Sequence, residues 1–107
     1  MKKIDIYKLI LTTTDKYEVA DKIRFDLVSN NIAPCVHILN GIDSTYKWKN
    51  KIVTEREIIV LVKIDASKLS VAKEIIEKLH NYECPEIISF NFDIINSHYR
   101  DWFNEFS

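Results

Sequence analysis

Along residues 3–13 the chain alternates, with Ile4, Ile6, Lys8 and Ile10 on one side and Tyr7, Leu9 and Leu11 on the other. Apolar residues on both sides near the end of that run predict a central strand, covered on two faces. Thr12-Thr13-Thr14-Asp15 stops it, and Asp15 with Glu18 three residues on predicts a helix N-cap and its capping partner. Val19, Ala20, Ile23, Leu27 and Val28 then recur at helical spacing, and Asn30-Asn31 closes the helix.

From 33 to about 48 the pattern is extended. Val36, Ile38, Ile42, Tyr46 and Trp48 share one parity, interrupted by Asn40 and Ser44. A polar tip, Lys49-Asn50, precedes a second strand over 51–63, and Asn50 is suited to a left-handed turn. Residues 33–63 therefore predict one long β-hairpin. Ser67 is the expected N-cap of a second helix with Leu69, Ala72, Ile75, Ile76 and Leu79 as its core stripe. Pro85 stands just before a fourth strand over 86–93, in which Ile88, Phe90 and Phe92 alternate. Asn96 or Ser97 caps a short terminal helix carrying Tyr99, Trp102, Phe103 and Phe106 on one face.

The order β-α-β-β-α-β-α predicts an α+β fold: two interleaved βαβ units forming a ferredoxin-like four-stranded antiparallel sheet, with a short C-terminal helix. The whole of 1–107 reads as a single domain. The hairpin is too long for that body. A strand of about fourteen residues reaches ~46 Å, whereas a 12-residue helix covers ~18 Å and a globule of this size has a radius of gyration of ~13 Å. The hairpin should project, carrying Ile42, Tyr46, Trp48 and Ile52 with it. A lone two-stranded ribbon with apolar faces is only marginally stable. Those four residues are the expected contacts with a neighbouring subunit.

Composition narrows the chemistry. With one glycine, Gly41, no phosphate-cradling loop or nucleophile elbow can be written. A strand glycine instead suggests a bulge or a close backbone approach. Fifteen basic against sixteen acidic residues give a net charge of −1, which offers no reason to expect nucleic-acid binding. Lys47-Trp48-Lys49-Asn50-Lys51, the densest basic stretch, reads as a solvated hairpin tip. The longest apolar run, Ile58 to Val62, is far below the ~20 residues a membrane span needs. No apolar leader segment follows the basic start, and Cys35 and Cys84 lack paired-cysteine spacing. The reading is a cytoplasmic protein with reduced thiols.

Two extended blocks carry a resemblance. The segment from Ala33 to Ile52, with Cys35-Val36, Ile38, Gly41, Ser44, Tyr46, Trp48 and Lys51-Ile52, resembles the A-x-C-V-x-I-x-x-G-x-x-S-x-Y-x-W-x-G-K-I segment of the CutA divalent-cation-tolerance family. His80-Asn81-Tyr82-Glu83-Cys84-Pro85-Glu86-Ile87 resembles that family's H-P-Y-E-x-P-E-I, and Glu57 and Lys63 fall at its third-strand E and K. The resemblance implies a homotrimer of PII-like architecture, a role in the response to divalent metals, copper especially, and metal binding by some members. It also marks departures: Asn50 and Asn81 replace a glycine and a proline, and Ile95 stands where a glycine is usual before the terminal helix. Thr12 and Leu79-His80 stand where some bacterial members have a cysteine and a histidine pair.

On residue chemistry, His80 and Cys84 are the borderline-to-soft pair for a copper or zinc ion, though two ligands do not close a site. Glu57, Lys63, Tyr82 and Glu86 are the expected polar lining of an intersubunit cleft, which binds a small ligand or fixes subunit register. Cys35 reads as a packed strand thiol. Nothing orders a nucleophile and base, so no enzyme activity and no required cofactor are expected. The function expected is that of a trimeric, non-enzymatic divalent-cation-tolerance protein. The alternative is a PII-like regulatory module taking a small ligand or a partner protein.

Overall fold

Four strands pair antiparallel in the order β2-β3-β1-β4 in the computed structural model, which describes residues 5–106. They are β1 (Tyr7–Thr14), β2 (Cys35–Trp48), β3 (Lys51–Asp65) and β4 (Ile87–Phe92). The helices are α1 (Tyr17–Ser29), α2 (Leu69–Leu79) and α3 (Ser97–Glu105). Residues 1–4, where the alternation begins, and residue 107 lie outside the described residues. The sheet order and the two crossovers are those of the ferredoxin-like α+β fold that the pattern predicts.

The core follows from register. Ile10 pairs with Val62, and Thr12 with Val60, while Val36 and Ile38 stand opposite Val62 and Val60 on the other edge of β3. This face is covered by Val19, Ala20, Ile23 and Leu27 of α1 and by Ala72 and Ile76 of α2, all buried. The opposite face is covered only at one end, where α3 drives Phe103 against Tyr7, ring centroids 5.2 Å apart. Tyr7 in turn stacks on Phe92. Burying a side chain like Phe103 contributes about 1.5–3 kcal/mol.

Two helix starts differ from the expected caps. The N-cap of α1 is Lys16, whose N–H donates to Thr14 Oγ1, because the Asp15 carboxylate is engaged instead by Asn81. Before α2 the chain makes a 3-10 turn over Ala66–Lys68, and Asp65 accepts the Ser67 N–H at 3.0 Å. Ser67 is thus the capped residue rather than the cap. Asn30 and Asn31 do end α1: Asn31 turns left-handed, and the N–H groups of Ile32 and Ala33 both donate to Leu27 O.

The hairpin projects as its length requires. The molecule measures 52 × 23 × 23 Å with a radius of gyration of 15.0 Å, above the ~13 Å of a compact chain this long. Lys49 and Asn50, both at positive φ, form a two-residue turn whose hand matches the strand twist. Between Leu39 and Ile42 β2 carries one residue more than β3, a bulge with Gly41 at φ 74°. The extra residue inverts the alternation. Val36 and Ile38 face the helices, but Ile42, Tyr46 and Trp48 stand beside Glu57, Val53 and Lys51, which continue the parity of Ile59 and Leu61 on the other face. The single parity read from sequence is therefore divided between two faces.

Candidate functional site

Where the hairpin leaves the body, it forms one wall of an open cleft of about 750 Å³. The other wall is the end of β1 and the loop joining α2 to β4, which supplies Asn81, Tyr82, Glu83, Cys84 and Glu86. That loop is held by side chains with no local sequence signal. His80 Nε2 lies 2.8 Å from Thr13 O, and its Nδ1 accepts the Tyr82 N–H at 3.0 Å. A carbonyl only accepts and an amide N–H only donates, so the ring is fixed as the neutral Nε2–H tautomer. Asn81 accepts from Thr14 Oγ1 at 2.6 Å and donates to Asp15 Oδ1 at 2.8 Å.

Glu57, 5% exposed, lies deepest, and the Tyr82 hydroxyl donates to its carboxylate. Burial first, and then the Glu57 carboxylate, push the Tyr82 phenol far above its ordinary value of 10.0. The Glu55 carboxylate beside it similarly raises Tyr46. Asp15, Glu55, Glu57, Glu83 and Glu86 give the cleft five carboxylates, and among the described residues no lysine or arginine lines it. Tyr46, Trp48 and Tyr82 supply aromatic walls.

Among the residues expected here, the cleft gathers Glu57, Tyr82, Glu86 and Cys84, together with Tyr46 and Trp48 from the hairpin. Lys63 lies elsewhere. It points to the other end of the sheet, where its ammonium donates to Tyr99 OH at 2.7 Å and sits 4.9 Å from that ring's centroid. Ile42 is half-buried at the hairpin base, and Ile52, 75% exposed, faces away near the tip. The sequence offered no sign of Asp15, Glu55 or Glu83 as lining, because the acids meet only through the fold.

For a metal, the donors do not converge. Both His80 nitrogens are committed, so a lone pair becomes available only by breaking its contact with the loop. Among the described residues no group of three His, Cys, Asp or Glu side chains is placed to hold an ion. The thiols of Cys35 and Cys84 are both free. Cys35 is half-buried rather than fully packed, and its Sγ lies 3.6 Å from His37 Nε2, a pairing that the sequence reading did not anticipate.

A ferredoxin-like sheet, a projecting hairpin bent at one glycine bulge, and an acidic cleft at the hairpin's base define a small α+β class of protein. Within it, residues 8–106 match the family model of the CutA1 divalent ion tolerance protein. The chain belongs to that family. It is 35% identical over 98 residues to the divalent-cation tolerance protein CutA of Thermus thermophilus, covering 92% of this chain and 95% of that one. With a CutA homolog of Xenopus laevis it shares 34% over 84 residues, 78% of this chain but 56% of the relative. The solved Cut A1 structure from Thermus thermophilus superposes with a TM-score of 0.88 at 34% identity, covering 94% of this chain and 98% of that one. CutA1 from Oryza sativa gives 0.90 at 26%, covering 95% and 94%.

Proposed function

We propose that the chain works as a non-enzymatic homotrimer in the response to divalent metal ions, with the cleft at the hairpin base as its cation-sensing element. The observation that carries this is the lining: five carboxylates and, among the described residues, no lysine or arginine. Such a cleft concentrates cations from solution. Carboxylates spread over its walls hold a hydrated ion weakly rather than cage it. A copper or zinc ion at His80 and Cys84 is less well supported, because it has to displace the Tyr82 N–H from the one free lone pair of the His80 ring. Assembly is supported by the uncovered sheet face, where Leu39, Ile88 and Phe90 are exposed, and by exposed Trp48 and Ile52 on the hairpin. Two free thiols fit a reducing compartment, the cytoplasm.

A second reading rests on the size of the cleft. About 750 Å³ with three aromatic walls suits a small organic ligand as in a PII-like regulatory module. Calorimetric titration with manganese(II), which prefers carboxylate oxygen, tests the cation reading. Weak binding that falls several-fold in Glu55→Gln with Glu86→Gln supports it. Heats equal to dilution, or unchanged in the double variant, overturn it.

A further inference from the structure

His80 stands where α2 ends and the cleft loop over 80–86 begins, as the residue that caps the helix. Its ring joins two distant pieces of chain. Nε2–H donates to Thr13 O at 2.8 Å, which ties it to β1, and Nδ1 accepts the Tyr82 N–H at 3.0 Å, which holds the loop two residues on. The ring also lies against that of Tyr82, centroids 4.9 Å apart. Tyr82 in turn donates its hydroxyl to the buried Glu57 carboxylate. One imidazole thus connects the end of α2, the end of β1 and the wall of the cleft.

The bond to Tyr82 exists only with the neutral ring, because a protonated imidazole is a donor at both nitrogens. We propose that His80 is a pH-operated latch on the cleft wall: a proton taken up at Nδ1 breaks the bond to the Tyr82 N–H, leaves the bond to Thr13 in place and releases the loop. Two donors then face each other where one bond stood, so the Tyr82 N–H turns to solvent and Tyr82 loosens its hold on Glu57. Histidine is the side chain that gains such a proton between about pH 8 and pH 5. Charge reaches the ring's surroundings from several elements. Asp15, after β1, accepts from the adjacent Asn81; Glu57 of β3 accepts from Tyr82; Glu83 follows in the loop. The C-terminus of α2 favours a cation through its dipole, with Lys78 in its last turn. Carboxylates and helix end favour the charged ring, while Lys78 and the Tyr82 N–H favour the neutral one. The sign follows from the Nδ1 bond: the wall is held at alkaline pH and released as pH falls. The latch concerns the wall and not its ligand, so only a fall in cation binding on release rests on the cation reading above.

Nitrogen NMR of the ring in the assembled protein reads the latch directly, since it separates the Nε2–H tautomer from the Nδ1–H tautomer and from the protonated ring. At about pH 8 His80 should show the Nε2–H tautomer. On acidification to about pH 5.5 the Tyr82 amide signal should shift with the midpoint of the His80 ring. Its protection from hydrogen exchange should fall by about tenfold, the loss of one hydrogen bond. His80→Asn keeps an acceptor for the Tyr82 N–H, and that acceptor takes no proton, so the pH response of the amide should disappear. His37 and His98 stand on β2 and α3 and serve as internal references. An Nδ1–H tautomer at the alkaline end, Tyr82 protection that stays level while His80 titrates, or an amide midpoint that follows His37 or His98 overturns the latch. So does a response that survives in His80→Asn. None of these readouts involves manganese, so the latch stands or falls separately from the cation reading.

Discussion

Glu57 and Tyr82 are the pair on which the cleft wall depends. The carboxylate is 5% exposed, and the phenol donates to it. Removing the hydroxyl leaves a buried charge without that donor, which costs about 1–3 kcal/mol. Tyr82→Phe should therefore lower unfolding stability by that amount in denaturant titration. A change within error would mean that another donor replaces the phenol. The same pair fixes a pH dependence. The Tyr82 phenol is raised above 10.0 in the folded state, so the native protein holds its proton after the unfolded chain has lost it. Its contribution is fully present below pH 10 and declines as pH rises beyond it. Tyr82→Phe should flatten that alkaline decline. From sequence, Tyr82, Glu57 and Glu86 were legible through the resemblance, but the roles of Asn81 and His80 were not. Both act on the end of β1, 66 or 67 positions away in the chain, and no local pattern encodes such a bond.

At the scale of the elements, periodicity revealed the four strands and three α-helices among the described residues, because each buries an apolar face, α1 and α2 on one side of the sheet and α3 on the other. It misplaced the N-caps of α1 and α2, though not Asn96 before α3. Thr14, Asp15, Ser67 and Asp65 all have oxygens able to cap, and the tertiary partners Asn81 and the Ala66–Lys68 turn decide between them. It also missed the change of face at the bulge, although Gly41 marked the place. Gly41 has φ 74°, and a Cβ there would stand 3.1 Å from Arg56 Nη2, the mobile end of a flexible side chain. The arginine can move aside, so the cost of Gly41→Ala comes chiefly from the left-handed backbone, about 1–2 kcal/mol. Hydrogen exchange should show faster opening around the bulge, with the core of β1 unchanged. Exchange unaltered at Ile42 and Glu57 would show that the bulge tolerates a side chain.

Over the whole molecule, the sequence made the projecting hairpin legible from length alone, and the 52 Å long axis matches it. What length does not reveal is the second apolar surface. Leu9, Leu11, Ile59 and Leu61 are half-buried beside the exposed Leu39, Ile88 and Phe90, on the face α3 covers only at its end. These residues look like ordinary core positions in the alternation, since a strand pattern records that a side is apolar and not what covers it. A hairpin and a sheet face both left open in one chain account for each other if copies of the chain cover them. The mass in solution tests this most directly. Light scattering at micromolar concentration should give the mass of three chains of 12.6 kDa each. The mass of a single chain would contradict the account.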